Sequence, residues 1–142
     1  MKIYCDGGSR GNPGPAASAF VVFDEKDELV HKESKYLGVT TNNVAEYNAV
    51  LLATKWLVEP STVKSKKSTV IVNLDSQLVE RQLNGFYKIK NENLMKFALE
   101  IKNIIKVNNL NLKFIWNYRT NNKLADKLVN DILDDVQREN KQ

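Results

Sequence analysis

The sequence has very few soft metal ligands: Cys5 is its single cysteine and His31 is its single histidine. One cysteine excludes a disulfide within the chain. A structural zinc site of cysteine and histidine is also excluded, because two such ligands cannot fill a tetrahedral shell. A nucleophilic mechanism that needs an imidazole base would have to run through His31. The chemistry of this chain must therefore rest mainly on carboxylates, amides and hydroxyls.

Long apolar runs are also missing from the sequence. No segment approaches the ~20 consecutive apolar residues of a membrane-spanning helix. The first six residues, which end in Asp6, do not form the apolar stretch of a signal peptide. A free cysteine is typical of a protein in a reducing compartment. We therefore expect a cytoplasmic protein that is neither exported nor embedded in a membrane.

The chain length of 142 residues is sufficient for one domain with a hydrophobic core. A chain of this size removes about 68–70% of its unfolded surface from water when it folds. No repeat, linker or low-complexity segment divides the sequence. We expect a single domain over residues 1–138, followed by a short polar tail at 139–142, and we expect the protein to be a monomer.

The net charge of +4 is unevenly distributed along the chain. Residues 1–58 carry −1, residues 59–116 carry +5 and residues 117–142 carry zero. A basic central segment indicates an anionic partner such as nucleic acid. The alternative is that these are ordinary surface lysines, which only keep the protein soluble.

Hydrophobic periodicity predicts an α/β domain with the element order βββαβααβα. Residues 42–58 have apolar side chains at helical spacing, and Pro60 ends the run. Residues 69–74 are almost continuously apolar, which is typical of a buried central strand. Glycines and prolines between residues 7 and 15 predict a loop after the first strand. The predicted strands are 2–5, 19–23, 28–36, 69–74 and 110–116, and the predicted helices are 42–58, 76–83, 93–107 and 122–138.

Four carboxylates occur where solvated side chains are not expected. Asp6 ends the first strand, and Asp75 follows the most apolar strand. Glu46 shares a helix face with small apolar residues, and Asp126 lies among the core-facing residues of the last helix. Three of them also have structural explanations, since Asp6 can cap its own turn, Asp75 can cap a helix and Asp126 can favour a helix dipole. Glu46 has no such explanation, and a lone carboxylate on an apolar face is costly.

The four carboxylates lie on two strand ends and two helices that must pack on one sheet. Converging carboxylates cannot all stay ionised unless a divalent cation meets them. Oxygen ligands select hard cations such as Mg²⁺ or Mn²⁺. Two such ions about 3.5–4 Å apart can clamp an in-line phosphoryl displacement. The sequence therefore predicts a site for two Mg²⁺ ions, with Mn²⁺ as an alternative.

Four segments of the sequence contain these carboxylates: Cys5-Asp6-Gly7-Gly8-Ser9-Arg10-Gly11-Asn12-Pro13-Gly14-Pro15, Thr41-Asn42-Asn43-Val44-Ala45-Glu46, Leu74-Asp75-Ser76-Gln77 and Asn122-Lys123-Leu124-Ala125-Asp126. Together they resemble the type 1 ribonuclease H family, in the form that lacks a basic protrusion between its second and third helices. The resemblance covers nearly the whole chain in the right order. It implies the ribonuclease H fold, a five-stranded mixed sheet with strands 1 to 3 antiparallel, flanked by helices. It also implies an endoribonuclease that cuts the RNA strand of RNA–DNA hybrids and leaves 5′-phosphate and 3′-hydroxyl ends.

The resemblance also implies a role for each carboxylate. Asp6, Glu46, Asp75 and Asp126 match the metal-binding catalytic residues of the family. Asp6 and Asp75 are expected to hold both ions, with the scissile phosphate between them. Glu46 is expected to hold one ion, and Asp126 the ion that activates water.

Substrate contacts are implied by the same segments. A hybrid-specific enzyme must sense 2′-hydroxyls across the wide minor groove, and amide and backbone groups suit that task. Some of the matching residues also have structural explanations, because Thr41 or Asn42 can cap a helix and the glycines can simply allow positive φ. Thr41 and Asn43 are further expected to contribute to a pocket for a DNA phosphate, together with Lys90 and Asn91. The predicted substrate-binding residues are Ser9, Gly11, Asn12, Thr41, Asn42, Asn43, Gln77, Lys90 and Asn91.

One position departs from the family pattern. Many relatives carry a histidine ten residues before the last carboxylate, and this chain has Trp116 there. His31 lies in a predicted strand and does not match. Arg119, in the same loop, is either a contact for phosphate or product, or simply a solvent-facing side chain. Two alternative functions stay open. One is a nuclease that also cleaves double-stranded RNA, since a reader of 2′-hydroxyls need not exclude it; the other, indicated by Trp116, is a catalytically weak module that binds hybrids.

Overall fold

Five strands and four helices follow one another along the described chain in the predicted order. The computed structural model describes residues 1–60, 68–117 and 122–140. Three strands come first, and each later strand is separated from the next by helix. The elements are β1 Lys2–Ser9, β2 Gly14–Phe23, β3 Leu29–Thr40, α1 Asn42–Leu57, β4 Val70–Leu74, α2 Gln77–Leu83, α3 Glu92–Val107, β5 Leu112–Trp116 and α4 Lys123–Glu139.

The strands form one mixed sheet in the order β3-β2-β1-β4-β5. β1 pairs with β2 and β2 with β3 in antiparallel fashion, whereas β1 with β4 and β4 with β5 are parallel. β1 is therefore the central strand, and its parallel neighbour β4 ends at the same edge of the sheet. The five-stranded mixed sheet with antiparallel strands 1 to 3 is confirmed.

The hydrophobic core is divided between the two faces of the sheet. Alternate residues of a strand point to opposite faces, and β2 shows this directly. Phe20 and Val22 belong to the main core, which α1 and α3 cover, whereas Ala17 and Ala19 contact α4 on the other face. Helix α4 thus lies across the sheet from α1. The two helices that carry the predicted carboxylates Glu46 and Asp126 approach the sheet edge from opposite sides.

Strand β1 continues further than the glycines predict. The expectation that residues 7 to 15 form a loop is wrong at both ends, because Gly7 and Gly8 belong to β1 and Gly14 belongs to β2. The reason is close packing rather than turn formation. A Cβ on Gly7 would lie 2.2 Å from the backbone carbonyl carbon of Ala45. Glycine at this position allows α1 to cross directly over the strand.

The last helix also runs beyond its predicted end. α4 includes Glu139, which was expected to begin the polar tail, and residues 141–142 lie outside the described part of the chain. Across the described ranges, no helix combines the length and the apolar character that crossing a membrane requires.

Substituting the two neighbouring glycines separately tests the close approach of α1. Gly7→Ala should lower the free energy of unfolding by about 3 kcal/mol or more, because the new methyl group overlaps backbone atoms of Ala45. Gly8→Ala is the matched control, since its Cβ would meet nothing closer than 3.9 Å. That variant should change stability by less than about 1 kcal/mol. Urea denaturation followed by circular dichroism measures both, and equal effects would contradict the packing argument.

Candidate active site

Two carboxylates meet at the edge of the sheet because their strands are parallel neighbours. Cys5 of β1 is in register with Leu74 of β4. Asp6 and Asp75 each follow directly after one of these paired residues, so the register of the two strands brings them side by side. This is the position at which open α/β sheets commonly place their binding sites. The alternative explanation for Asp75 does not hold, since Ser76 caps α2 and accepts a hydrogen bond from the Val79 amide at 3.2 Å.

Glu46 reaches the same edge from helix α1. Thr41 caps this helix by accepting a hydrogen bond from the Val44 amide at 3.3 Å, so Glu46 lies just beyond the first turn. The contact between Gly7 and the backbone at Ala45 brings the carboxylate down onto β1. There the Gly7 amide lies close enough to Glu46 to favour its charged form and so to lower its pKa.

Three carboxylates form a tight cluster at this point. Asp6, Glu46 and Asp75 each offer one oxygen atom, and these atoms lie within 4.8 Å of one another. Asp6 and Glu46 are buried, with exposed fractions of 5% and 8%, and Asp75 is half-buried. Asp126, in the first turn of α4, is exposed and lies within hydrogen-bonding reach of Asp6. The structure thus brings the four predicted carboxylates together as a triad with a fourth at its rim.

The electrostatics of the cluster are unfavourable for the metal-free chain. Burial, followed by the charges of Asp75 and Asp126, raises the pKa of Asp6 to about 8. Burial and the charges of Asp75 and Asp6 raise the pKa of Glu46 well above its ordinary range, although the Gly7 amide acts in the opposite direction. Burial also raises the pKa of the Cys5 thiol, with the same carboxylates adding to the effect. Cys5 is therefore a protonated core residue and not a nucleophile.

The donor set fits a hard divalent cation. Glu46 Oε2 is buried and has no hydrogen-bond partner within the described residues. An uncompensated carboxylate oxygen in such a place is costly, and a cation that it ligates would remove the cost. All candidate donors in the cluster are carboxylate oxygens, which are the ligands that Mg²⁺ and Mn²⁺ prefer. The cluster can therefore hold a metal ion.

The carboxylates lie in an open cleft of about 350 Å³. Seven of the predicted site residues line it: Asp6, Ser9, Asn42, Asn43, Glu46, Asp75 and Asp126. Six other predicted substrate-binding residues are not among the lining residues: Gly11, Asn12, Thr41, Gln77, Lys90 and Asn91. Their proposed contacts with substrate stay predictions.

Several of the predicted substrate residues hold the loops around the cleft in place. Asn42 Oδ1 accepts hydrogen bonds from both the amide and the hydroxyl of Ser9, at 2.8 and 3.1 Å. Asn12 Oδ1 accepts from the Asn42 amide at 3.0 Å. Asn91 caps α3 by accepting from the Leu94 amide at 3.1 Å. Gly11 has φ +91°, a conformation that favours glycine.

Trp116 lies in the sheet, within the predicted strand 110–116. It is the last residue of β5, and its indole Nε1 donates to the carbonyl oxygen of Asp75 at 3.3 Å. The residue therefore supports the backbone that carries a predicted metal ligand. Arg119 lies outside the described residues.

Three residues of the site were missed by sequence reasoning. Arg10 and Asn130 line the cleft, and the buried Asn122 donates from Nδ2 to the Cys5 carbonyl at 2.9 Å. Arg10 and Asn122 lie inside the family segments, but no local pattern shows what they contact. Arg10 contacts α4 at residues 130, 134 and 137. The signal that could have indicated this contact is the polar character of these three positions, which share one face of the helix.

The fold and the carboxylate cluster define a ribonuclease H-like domain. The family model described as "Reverse transcriptase-like" matches residues 4–132. A ribonuclease H of Helicobacter acinonychis is 35% identical over 104 residues, which are 71% of this chain and 71% of that protein. The crystal structure of LC11-RNase H1 in complex with RNA/DNA hybrid superposes with a TM-score of 0.88 at 40% identity, covering 96% of this chain and 98% of that one. The chain belongs to the ribonuclease H family.

Other relatives are much longer than this chain. A protein of Mycobacterium tuberculosis named as bifunctional is 36% identical over 135 residues, which are 94% of this chain. The chain spans 35% of the length of that protein.

Removing one charge from the cluster should stabilise the metal-free chain. The pKa of Asp6 is raised from its ordinary 3.8 to about 8, so between these pH values the folded state holds a proton that the unfolded state releases. Stability is then lost as the pH rises through this window. Asp6→Asn stays neutral and should be more stable than the parent in EDTA by about 1–3 kcal/mol at pH 8, with a smaller difference at pH 5.

Urea denaturation at the two pH values measures this difference. Asp131→Asn is the control, because Asp131 is an exposed partner of Lys127 on α4 and its loss should change stability by less than about 1 kcal/mol. Added Mg²⁺ should raise the melting temperature of the parent more than that of Asp6→Asn, because binding to the folded state stabilises it. A variant that is less stable than the parent at pH 8 would contradict the repulsion argument.

Proposed function

We propose that this chain is a metal-dependent endoribonuclease that hydrolyses the RNA strand of RNA–DNA hybrids. The observation that carries the proposal is the buried carboxylate triad, with its unpartnered Glu46 oxygen, at the edge of a ribonuclease H sheet. Its support from comparison is the 40% identity to LC11-RNase H1, which was solved in complex with RNA/DNA hybrid. We further propose two Mg²⁺ ions as the natural cofactor, with Mn²⁺ as a substitute.

The position of each carboxylate in the fold determines which ion it would hold. Asp6 and Asp75, at the ends of adjacent parallel strands, would hold two ions with the scissile phosphate between them. Glu46 would hold one ion from α1, and Asp126 the other from α4. When bound, such a pair of ions activates the attacking water and stabilises the leaving 3′-oxygen in an in-line displacement. The products would carry 5′-phosphate and 3′-hydroxyl ends.

Recognition of the hybrid would use groups that the fold has already oriented. Asn42 Oδ1 accepts hydrogen bonds from Ser9. The Nδ2 amide group of Asn42 would then donate to a 2′-hydroxyl in the minor groove. Asn12 and Asn43 flank this position at the start of α1, where amides are well suited to read sugar hydroxyls. Thr41, Gln77 and the backbone at Gly11 complete the proposed contacts to the two strands.

Positive charge near the second and third helices would bind the nucleic-acid backbone. The side chains of this set are all exposed, and contacts of this kind are independent of sequence and weaken as the salt concentration rises. Lys90 and Asn91 would contribute to a pocket for a DNA phosphate at the start of α3. The proposed basic residues are Lys88, Lys90, Lys96, Lys102 and Lys106.

The domain limits, oligomeric state and location stay predictions. Residues 1–138 as a single catalytic domain, a monomer in solution and a cytoplasmic location are all consistent with the proposed activity. The two alternatives are cleavage of double-stranded RNA as well, since a reader of 2′-hydroxyls need not exclude it, and hybrid binding without turnover.

A cleavage assay with three substrates tests the proposal. End-labelled RNA–DNA hybrid, double-stranded RNA and single-stranded RNA are incubated with Mg²⁺, Mn²⁺ or EDTA. We expect cleavage of the RNA strand of the hybrid, dependent on the divalent cation. Asp75→Asn should lower the rate at least about 100-fold, because losing one electrostatic group at the reacting atoms typically costs 10²–10³ in kcat. Asp27→Asn, an exposed partner of Lys2 in the turn between β2 and β3, is the control and should keep the parent rate.

Each other outcome has a definite meaning. Cleavage that survives EDTA, or that persists in Asp75→Asn, would overturn the metal mechanism. Equal cleavage of double-stranded RNA would support the broader nuclease. Tight hybrid binding with no product in either metal would support the binding module.

A further inference from the structure

Helix α4 is held on the sheet by little apolar contact. The hydrophobic cluster between α4 and the sheet has four buried members, Ala17, Ala19, Val129 and Leu133. The main core under α1 and α3 has seventeen. The sheet side of this contact is built from alanine side chains, which present a nearly flat surface. Packing against a flat surface specifies the rotation and axial position of a helix only weakly, because few side chains interdigitate. Something else must fix α4 and the Asp126 carboxylate that it carries.

Arg10 supplies that contact from the turn between β1 and β2. Its guanidinium forms an ion pair with Asp134 Oδ1 at 2.6 Å and donates to Gln137 Oε1 at 2.9 Å. It also donates to Asn130 Oδ1 at 3.3 Å. The three partners lie at positions i, i+4 and i+7 of α4, so a single side chain holds one face of the helix across two turns. Among the cleft-lining residues that the structure describes, Arg10 is the single cation, and it is already engaged with α4.

The contact leads directly to Asp126. Asn130, which accepts from Arg10, donates from Nδ2 to the Asp126 carbonyl oxygen at 3.1 Å. At the start of the helix, the Asn122 carbonyl accepts from the Asp126 amide at 3.1 Å, and the Asn122 side chain donates to Cys5, the neighbour of Asp6. Cys5 in the middle of β1 and Arg10 just after its end are thereby connected to the segment of α4 that surrounds Asp126. The triad of Asp6, Glu46 and Asp75 does not include Asp126, so its participation depends on where α4 lies.

We infer that Arg10 is a positioning residue for the metal site: by fixing the register of α4 on the sheet it holds Asp126 in reach of the ion that Asp126 shares with Asp6. This inference rests on the proposed function, since it assigns a role to Arg10 within the same site. The described contacts of the Arg10 side chain are all with α4. An ion pair between a half-buried arginine and an exposed aspartate contributes little to stability, so its loss should affect the site more than the fold.

A double-mutant cycle on metal binding tests the inference without relying on turnover. Binding of Mn²⁺ alone is measured by electron paramagnetic resonance in the parent, Arg10→Met, Asp126→Asn and the double variant. Arg10→Met should raise the Mn²⁺ concentration for half-saturation about 3–10-fold. The double variant should bind Mn²⁺ no more weakly than Asp126→Asn, because Arg10 acts through Asp126 and coupled residues are non-additive.

Kinetics with the hybrid substrate give a second measurement. Arg10→Met should lower kcat about 5–10-fold at a fixed Mg²⁺ concentration and should leave KM within about twofold, because the guanidinium is already engaged with α4. Arg138→Met is the matched control, since Arg138 is an exposed arginine on α4 that pairs with Asp135. This control should behave as the parent in both measurements. Asp134→Asn breaks the same ion pair from the helix side. It should weaken Mn²⁺ binding and lower kcat, as Arg10→Met does, so the test stays valid if Arg10→Met does not fold.

The possible failures are distinguishable. Arg10→Met that melts at a lower temperature but binds Mn²⁺ as the parent does would overturn the inference, as would additive effects in the cycle. A parent protein that binds Mn²⁺ and does not cut the hybrid would overturn the proposed function alone, and the Mn²⁺ cycle would still decide the role of Arg10.

Discussion

The approach of α1 to β1 at Gly7 is the constraint on which the site depends. A helix normally keeps a side-chain layer between its backbone and a sheet, but here the backbone at Ala45 lies where a Cβ of residue 7 would be. Ser18 reinforces the contact by donating from its hydroxyl to the Ala45 carbonyl at 2.7 Å. Because the two backbones are so close, the Glu46 side chain is long enough to bring its carboxylate next to that of Asp6. Everything else in the cluster is arranged around that pair.

The carboxylate cluster exists against its own electrostatics. Like charges at this separation disfavour one another in a buried place, and the chain holds them together with contacts elsewhere. The main core under α1 and α3 and the hydrogen bonds around Ser9 and Asn42 supply the rigidity. Trp116 adds a hydrogen bond to the Asp75 backbone. The site is thus an energetically unfavourable arrangement that a well-packed scaffold maintains, as is common where function requires it.

Much of the fold and the position of every carboxylate could be predicted from the sequence. Asp6, Asp75 and Glu46 each interrupt an apolar pattern, and such interruptions are visible in a linear chain. The role of Gly7 and Gly14 could not be predicted, because glycine serves both turns and close approaches and only the neighbouring backbone decides between them. Arg10 was missed for a different reason: its partners on α4 are more than a hundred residues away in the chain, and no local pattern joins them.

The parallel pairing of β1 with β4 couples catalysis to correct strand alignment. Asp6 and Asp75 meet only because Cys5 is paired with Leu74. A slip of one residue between the strands would move one carboxylate by about 3.3 Å and turn its side chain to the opposite face of the sheet. The same slip would also turn the core residue of the shifted strand out of the main core, either Ile3 of β1 or Val72 of β4. A misaligned chain would therefore lose both core burial and a carboxylate of the cluster, so the register that buries the core is also the register that builds the site.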